Sequence, residues 1–84
     1  MAKVIKADGT TIVVEPKNGT DFELHEMYEL IGCDIIELVR VGEKWLVVDE
    51  EGIMNRKPYN SEASKMAGMT ILGDALLCNI NQIK

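Results

Sequence analysis

The strongest constraint on the fold is the regular interruption of short β-type runs by turn residues. Asp8-Gly9 separates the first two runs, and an Asp-Gly pair between such runs is typical of a β-hairpin. Gly42-Glu43-Lys44 joins two later runs in the same way. Gly73-Asp74 interrupts the last run, where a glycine can mark a bulge or a tight bend. The predicted β-runs are residues 3–7, 11–15, 34–41, 45–49 and, on either side of that interruption, 69–72 and 75–80.

Two helices are predicted between these runs. Thr20 and Glu23 have the spacing of a capping box, and Gly32 is well placed to end a helix over residues 21–31. The apolar face of this helix consists of Leu24, Met27, Tyr28 and Ile31. Asn60 or Ser61 would cap a shorter second helix that ends at Gly68. Its apolar residues are Ala63, Met66 and Ala67.

The resulting order, β-β-α-β-β-α-β, predicts one α+β domain over residues 1–84. Hairpins without regular βαβ alternation favour a mainly antiparallel sheet of about five strands, with the two short helices packed against it. The nearly continuous apolar runs at Ile35-Ile36 and at residues 46–48 predict that these two strands are central in the sheet. Trp45 is expected to be buried or partly buried, although an exposed tryptophan would be an anchor for a partner.

Composition limits the classes of function. The net charge of −5 argues against non-specific binding of nucleic acid, which requires a basic surface. No apolar run approaches the length of a membrane span, and charges interrupt the N-terminus where a signal peptide needs an apolar stretch. Cys33 and Cys78 lie in apolar runs without zinc or CxxC spacing, which predicts buried free thiols in a reducing cytoplasm. We expect no metal and no cofactor.

No catalytic motif is recognisable. His25 is the sole histidine, and no nucleophile is placed to work with it. The acidic residues 49–51 would suit either a solvated turn, which we favour, or a divalent cation.

One segment has the residue types of an anion-binding pocket. Arg56 and Lys57 form the only adjacent basic pair, and they directly precede the predicted second helix. A helix N-terminus attracts phosphate or carboxylate through its free N–H groups and partial positive charge. A solvated loop with ordinary capping is the competing interpretation. The predicted ligand-binding residues are Arg56, Lys57, Tyr59, Asn60, Ser61 and Ser64.

Most of the chain resembles the domain-of-unknown-function 3846 family. The residues that carry this resemblance are 3–6, 34–39, 45–52, Asn60, Ala63 and 71–77. The resemblance implies a small protein of phages and mobile elements, located in the bacterial cytoplasm. It implies no catalytic residues.

The function expected from these observations is that of a non-enzymatic phage or mobile-element protein that inhibits a bacterial defence system. Two mechanisms stay open: it would cover the surface of a host defence protein, or sequester a small phosphorylated nucleotide signal. A small nucleotide-processing enzyme and an accessory protein with no defence role are the alternatives. Apolar sheet edges also make a homo-oligomer plausible, because a second copy would pair with them.

Overall fold

The computed structural model describes residues 2–83 and has the predicted order of elements. Five strands join one antiparallel sheet in the order β2-β1-β5-β4-β3. The α+β class and the β-β-α-β-β-α-β order are therefore confirmed. The elements are β1 (Ala2–Ile5), β2 (Thr11–Val14), α1 (Leu24–Ile31), β3 (Ile36–Val41), β4 (Lys44–Asp49), α2 (Ser61–Ala67), β5 (Ala75–Asn79) and a short 3₁₀ helix (Ile80–Gln82).

The structure corrects two expectations about the strands. The central strand is β5, the last in sequence, whereas β3 lies at an edge despite its apolar start. Residues 69–72 do not form a strand, and only Leu72 makes an isolated bridge, with Tyr59. The apolar character of residues 69–72 instead places Ile71 in the core beneath α2.

The N-terminus of α1 also differs from the prediction. The helix begins at Leu24, and its capping box consists of Glu23 and Glu26, with the Glu23 N–H donating to Glu26 Oε1 at 3.4 Å. Thr20 instead donates to the Asn18 side chain. The helix cannot begin earlier because Phe22 is held extended: its N–H donates to the carbonyl of Gln82 at 2.6 Å, and it bridges to Ile83.

One helix packs on each face of the sheet, and both faces carry buried side chains because alternate residues of a strand point to opposite sides. Trp45 is half-buried on the α1 side, as expected, with the Arg40 guanidinium 5.6 Å from its ring centroid. Both cysteines are buried on that side, and neither forms a disulfide within residues 2–83. The α1 face buries Ala2, Val4, Phe22, Met27, Ile31, Cys33, Val47, Leu76 and Cys78. The α2 face buries Ile5, Leu46, Val48, Ala63, Ile71, Ala75 and Leu77.

Candidate functional site

Of the six predicted ligand-binding residues, Arg56 and Lys57 line one open depression, whereas Tyr59, Asn60, Ser61 and Ser64 do not line it. Asn60 is fully buried and caps α2, with its Oδ1 accepting from the Ala63 N–H at 3.0 Å. Its amide group donates to the carbonyls of Ile5 at 2.8 Å and Gly73 at 2.9 Å. Both amide hydrogens are therefore used inside the protein. The expectation that Asn60 donates to a ligand is wrong because both amide hydrogens are already bonded, to the carbonyls of Ile5 and Gly73.

The two serines have separate positions. Ser64 is buried, and its hydroxyl exchanges hydrogen bonds with the backbone of Ile71, accepting at 2.8 Å and donating at 3.3 Å. The Ser64 hydroxyl thereby links the segment after α2 to the helix and is not available to a ligand. Ser61 and Tyr59 are exposed on either side of Asn60.

Arg56 and Lys57 have different surroundings, although both line that depression. Lys57 turns inward, where its Nζ lies 3.1 Å from Asp49 Oδ2 and donates to the carbonyls of Ile31, at 3.2 Å, and Gly32. It therefore satisfies the end of α1 rather than preparing the start of α2. Arg56 is exposed and has a φ of 53°, the left-handed region. The inward turn of Lys57 removes one of the two charges on which the anion pocket was predicted.

Asp49 forms the ion pair that orients the Lys57 side chain inward. Its side chain is only 1% exposed and accepts from the Glu51 N–H at 2.8 Å and from the Asn55 amide at 3.1 Å. Burial opposes ionisation of this carboxyl, but the hydrogen bonds from Asn55, Glu51 and Lys57 outweigh it, so the pKa of Asp49 lies below its ordinary value. The expectation of a solvated turn is therefore wrong for Asp49, although Glu50 is exposed. Within residues 2–83, no group of three or more potential metal ligands comes together.

The turns after β4, residues 50–56, form a compact loop that we call the 50–56 loop. The Asn55 N–H donates to the Glu51 carbonyl at 2.8 Å, and the Lys57 N–H donates to the Gly52 carbonyl at 3.0 Å. Gly52 packs so closely on Leu72 that a Cβ there would lie 3.1 Å from the Leu72 Cβ. These contacts, with the Asp49–Lys57 ion pair below them, fix the base of the loop.

The tip of this loop exposes two large apolar side chains. Ile53 is 83% exposed and Met54 is 76% exposed, the highest values among the large apolar residues of the described chain. The sequence contained a signal for this surface, an Ile-Met pair between Gly52 and Asn55 inside an irregular segment, but the functional interpretation of the sequence overlooked it.

A shallow groove of about 180 Å³ adjoins the tip on the α2 face. Its apolar lining includes buried Val48 and Ile71 and, at the surface, Ile53 and Met69. Its polar rim includes Glu37 of β3 and Glu50. The complete lining is Glu37, Val48, Asp49, Glu50, Gly52, Ile53, Met69, Thr70, Ile71 and Leu72.

A second, wider depression near the end of α1 lacks a reactive nucleophile. It is lined by residues that include His25, Tyr28 and Cys33. Burial, and next the neighbouring Asp49 carboxylate, raise the pKa of the Cys33 thiol, which disfavours the thiolate. His25 packs edge-on against Tyr28, with ring centroids 6.0 Å apart. This arrangement favours packing over nucleophilic catalysis.

Comparison with known proteins adds a family to this geometry. No curated protein and no solved structure matches the chain. Over the part of the chain that the structure describes, no helix is long and apolar enough to cross a bilayer. Residues 2–83 match the family model described as a domain of unknown function, DUF3846. The expected family is thus confirmed over nearly the whole chain, and this protein belongs to the DUF3846 family.

Proposed function

We propose that this protein is a non-enzymatic binding protein that covers the surface of a partner protein with its 50–56 loop. The observation that carries this proposal is the exposure of Ile53 and Met54, at 83% and 76%, side by side at the tip of that loop. Large apolar side chains grouped at a surface mark interaction sites more often than chance exposure. Methionine is common at such surfaces because its flexible side chain adapts to a partner.

The fixed base of the loop supports this interpretation. Asp49 and Lys57 are bonded to each other and to four further groups, so the backbone below Ile53 is held in one arrangement. A preorganised contact surface loses less conformational entropy on binding than a mobile one. Arg56, at the end of the loop, keeps a left-handed backbone that non-glycine residues rarely adopt.

The partner we propose is a host defence protein in the bacterial cytoplasm. The family resemblance implies a phage or mobile-element protein, and the defence role is proposed by analogy with small non-enzymatic phage proteins, which often disable a host defence system. Covering a host protein requires an exposed contact surface, and the 50–56 loop offers one.

Sequestration of a phosphorylated nucleotide has weaker support. Arg56 and Tyr59 remain exposed, but Lys57, Asn60 and Ser64 direct their polar groups inward. A role as an enzyme would need a reactive group in a cleft, and burial raises the pKa of the Cys33 thiol, which disfavours the nucleophilic thiolate.

Photocrosslinking in bacterial cells tests the proposal. Benzoylphenylalanine replaces Met54 in one variant and Leu24 in a matched control, since Leu24 is also exposed, at 50%, but lies at the start of α1. We expect a discrete protein adduct from position 54 and none from position 24. Ile53→Asp should lower the yield at position 54 about tenfold or more, as loss of an interface anchor does. Identical adducts from both positions, or none from position 54, would reject the proposal.

The defence role needs a separate measurement. Phage plating efficiency is compared in a strain that carries the crosslinked host protein, with wild-type protein or with Ile53→Asp. Restoration of plaques by the wild type alone supports inhibition of defence. Equal plating with the wild-type protein and with Ile53→Asp would contradict that role without contradicting protein binding.

A further inference from the structure

We propose that the groove beside the 50–56 loop receives a basic amphipathic segment of the partner. One large apolar side chain of the partner enters the groove, and a lysine or arginine close to it in the same segment faces Glu37 and Glu50. This inference rests on the proposed function and adds the chemistry of the partner to it.

The floor of the groove defines the apolar half of the partner. Val48 and Ile71 are only 3% exposed and form a packed base, whereas Met69 and Ile53 stand at the edges, 47% and 83% exposed. A partner side chain that enters between these edges would be buried and would also remove Met69 and Ile53 from water. Such burial is the main favourable term in protein association. The volume of about 180 Å³ is small for a nucleotide or a drug-sized ligand and suits a single side chain.

The rim of the groove defines the charged half of the partner segment. Glu37 and Glu50 line the groove, and within residues 2–83 neither has a basic side chain at ion-pair distance. The third carboxylate of the lining, Asp49, is engaged by Lys57 and Asn55 and is not available to a partner. No lysine, arginine or histidine lines this groove, so its free charge is entirely negative.

This charge pattern selects the class of partner. Anionic lipid headgroups and nucleic-acid phosphates would be repelled by Glu37 and Glu50 and by the net charge of −5. A protein segment with lysine or arginine is attracted, and electrostatic complementarity of this kind sets which partner binds and how fast. A second copy of the chain is a competing occupant because Lys3, Lys44 and the exposed Val13 line a separate depression.

Selection from a random library of twelve-residue peptides tests the inference directly. The immobilised wild-type protein is the bait, and enriched peptides are synthesised for affinity measurement. We expect them to combine a large apolar residue with lysine or arginine within about one helical turn. Dissociation constants should rise on addition of salt, because the rim is exposed.

Variants then assign the binding to the groove. Glu37→Gln with Glu50→Gln should weaken binding of the enriched peptides roughly twofold to thirtyfold, the range of two exposed ion pairs. Met69→Asp should abolish binding, and Leu24→Asp on α1 is the matched control that should leave it unchanged. Circular dichroism of each variant confirms that it is folded.

Three outcomes would overturn the inference. The first is a lack of enriched peptides, and the second is enrichment of neutral or acidic peptides whose binding ignores the Glu37 and Glu50 changes. The third is a concentration-dependent dimer in light scattering that the same changes dissociate, which would make a second copy the occupant. If the crosslink at position 54 captures a protein while the peptides show no basic preference, only the charge inference fails; if neither experiment detects binding, the proposed function fails as well.

Discussion

The two faces of the sheet are closed by different interactions. On the α1 face, large apolar side chains fill the space, with Phe22 fully buried and Met27 and Ile31 nearly so. On the α2 face, the short helix contributes Ala63, and Asn60 and Ser64 tie the surrounding backbone by buried hydrogen bonds. The first face is therefore closed mainly by apolar packing, whereas the second adds buried polar contacts to its apolar core.

This difference explains where the proposed binding surface lies. A seven-residue helix with a small apolar footprint cannot cover a five-stranded sheet, so the α2 face keeps a groove at the ends of β3 and β4. The 50–56 loop borders that groove and is held by polar contacts of the same kind. Both faces thus contribute to stability, whereas the proposed binding surface lies on the α2 face, and substitutions on each side can test this assignment.

The largest effect is expected from Phe22→Ala. Removing a fully buried aromatic ring loses its transfer free energy and leaves a cavity, so the free energy of unfolding should fall by about 3–5 kcal/mol. Urea unfolding followed by circular dichroism measures the change. Phe22→Leu is the control and should retain most of the stability. A loss below about 1 kcal/mol for the alanine variant would show that volume does not dominate the α1 face.

On the α2 face, a large loss of stability is expected from substitution of Asn60. Asn60→Asp preserves the size and the capping oxygen but removes both amide hydrogens, so the carbonyls of Ile5 and Gly73 lose their donor and face a carboxylate. Leaving such groups unsatisfied should cost about 3 kcal/mol. The same urea experiment applies, and Ser61→Asp, on an exposed neighbour, is the matched control. Near wild-type stability of Asn60→Asp would mean that capping alone explains this residue.

A somewhat smaller effect is expected at the base of the loop. Lys57→Met leaves Asp49 buried without its cation, and the free energy of unfolding should fall by about 2 kcal/mol, below the range for a fully buried pair because Lys57 is 18% exposed. The double variant with Asp49→Asn should recover part of this loss, since the uncompensated charge is gone. If the double variant is no more stable than Lys57→Met alone, the two residues are not coupled.

The same pair predicts an acid dependence of stability. The pKa of Asp49 is lower in the folded protein than its ordinary value of 3.8, so its contribution is fully present above that value. It is lost as the pH falls through the lower, folded pKa. Asp49→Asn should therefore show a flatter decline of unfolding free energy below about pH 4 than the wild type. Equal slopes for the two proteins in acid would contradict the assignment.

The local parts of this structure could be predicted from the sequence and the distant parts could not. The Asp8-Gly9 hairpin and the ends of both helices at Gly32 and Gly68 depend on neighbouring residues, and all were predicted correctly. The position of β5 in the centre of the sheet depends on pairing with β1, more than sixty residues earlier in the chain, for which the sequence contains no local signal.

Lys57 illustrates the same limit at the candidate site. Its sequence neighbour Arg56 suggested a cationic pair, but its conformation is set by the end of α1 and by Gly73, where a Cβ would lie 2.6 Å from Lys57 Cδ. Only the assembled fold brings these groups together. Asn60 is intermediate: its capping role is local and was predicted, whereas its bonds to Ile5 and Gly73 are tertiary.

The smallest effect on stability should come from the residues that matter most for binding. Ile53→Asp and Met54→Asp replace side chains that are 83% and 76% exposed, so each should change the free energy of unfolding by no more than about 0.5 kcal/mol. The same variants should lose about tenfold or more in crosslinking or peptide binding, because desolvated apolar anchors dominate interface energies. Leu24→Asp, at a less exposed apolar site (50%) at the start of α1, should change neither quantity. A large loss of stability in Ile53→Asp would instead assign this side chain to the fold, and the separation of the loop tip from the residues that stabilise the two faces would not hold.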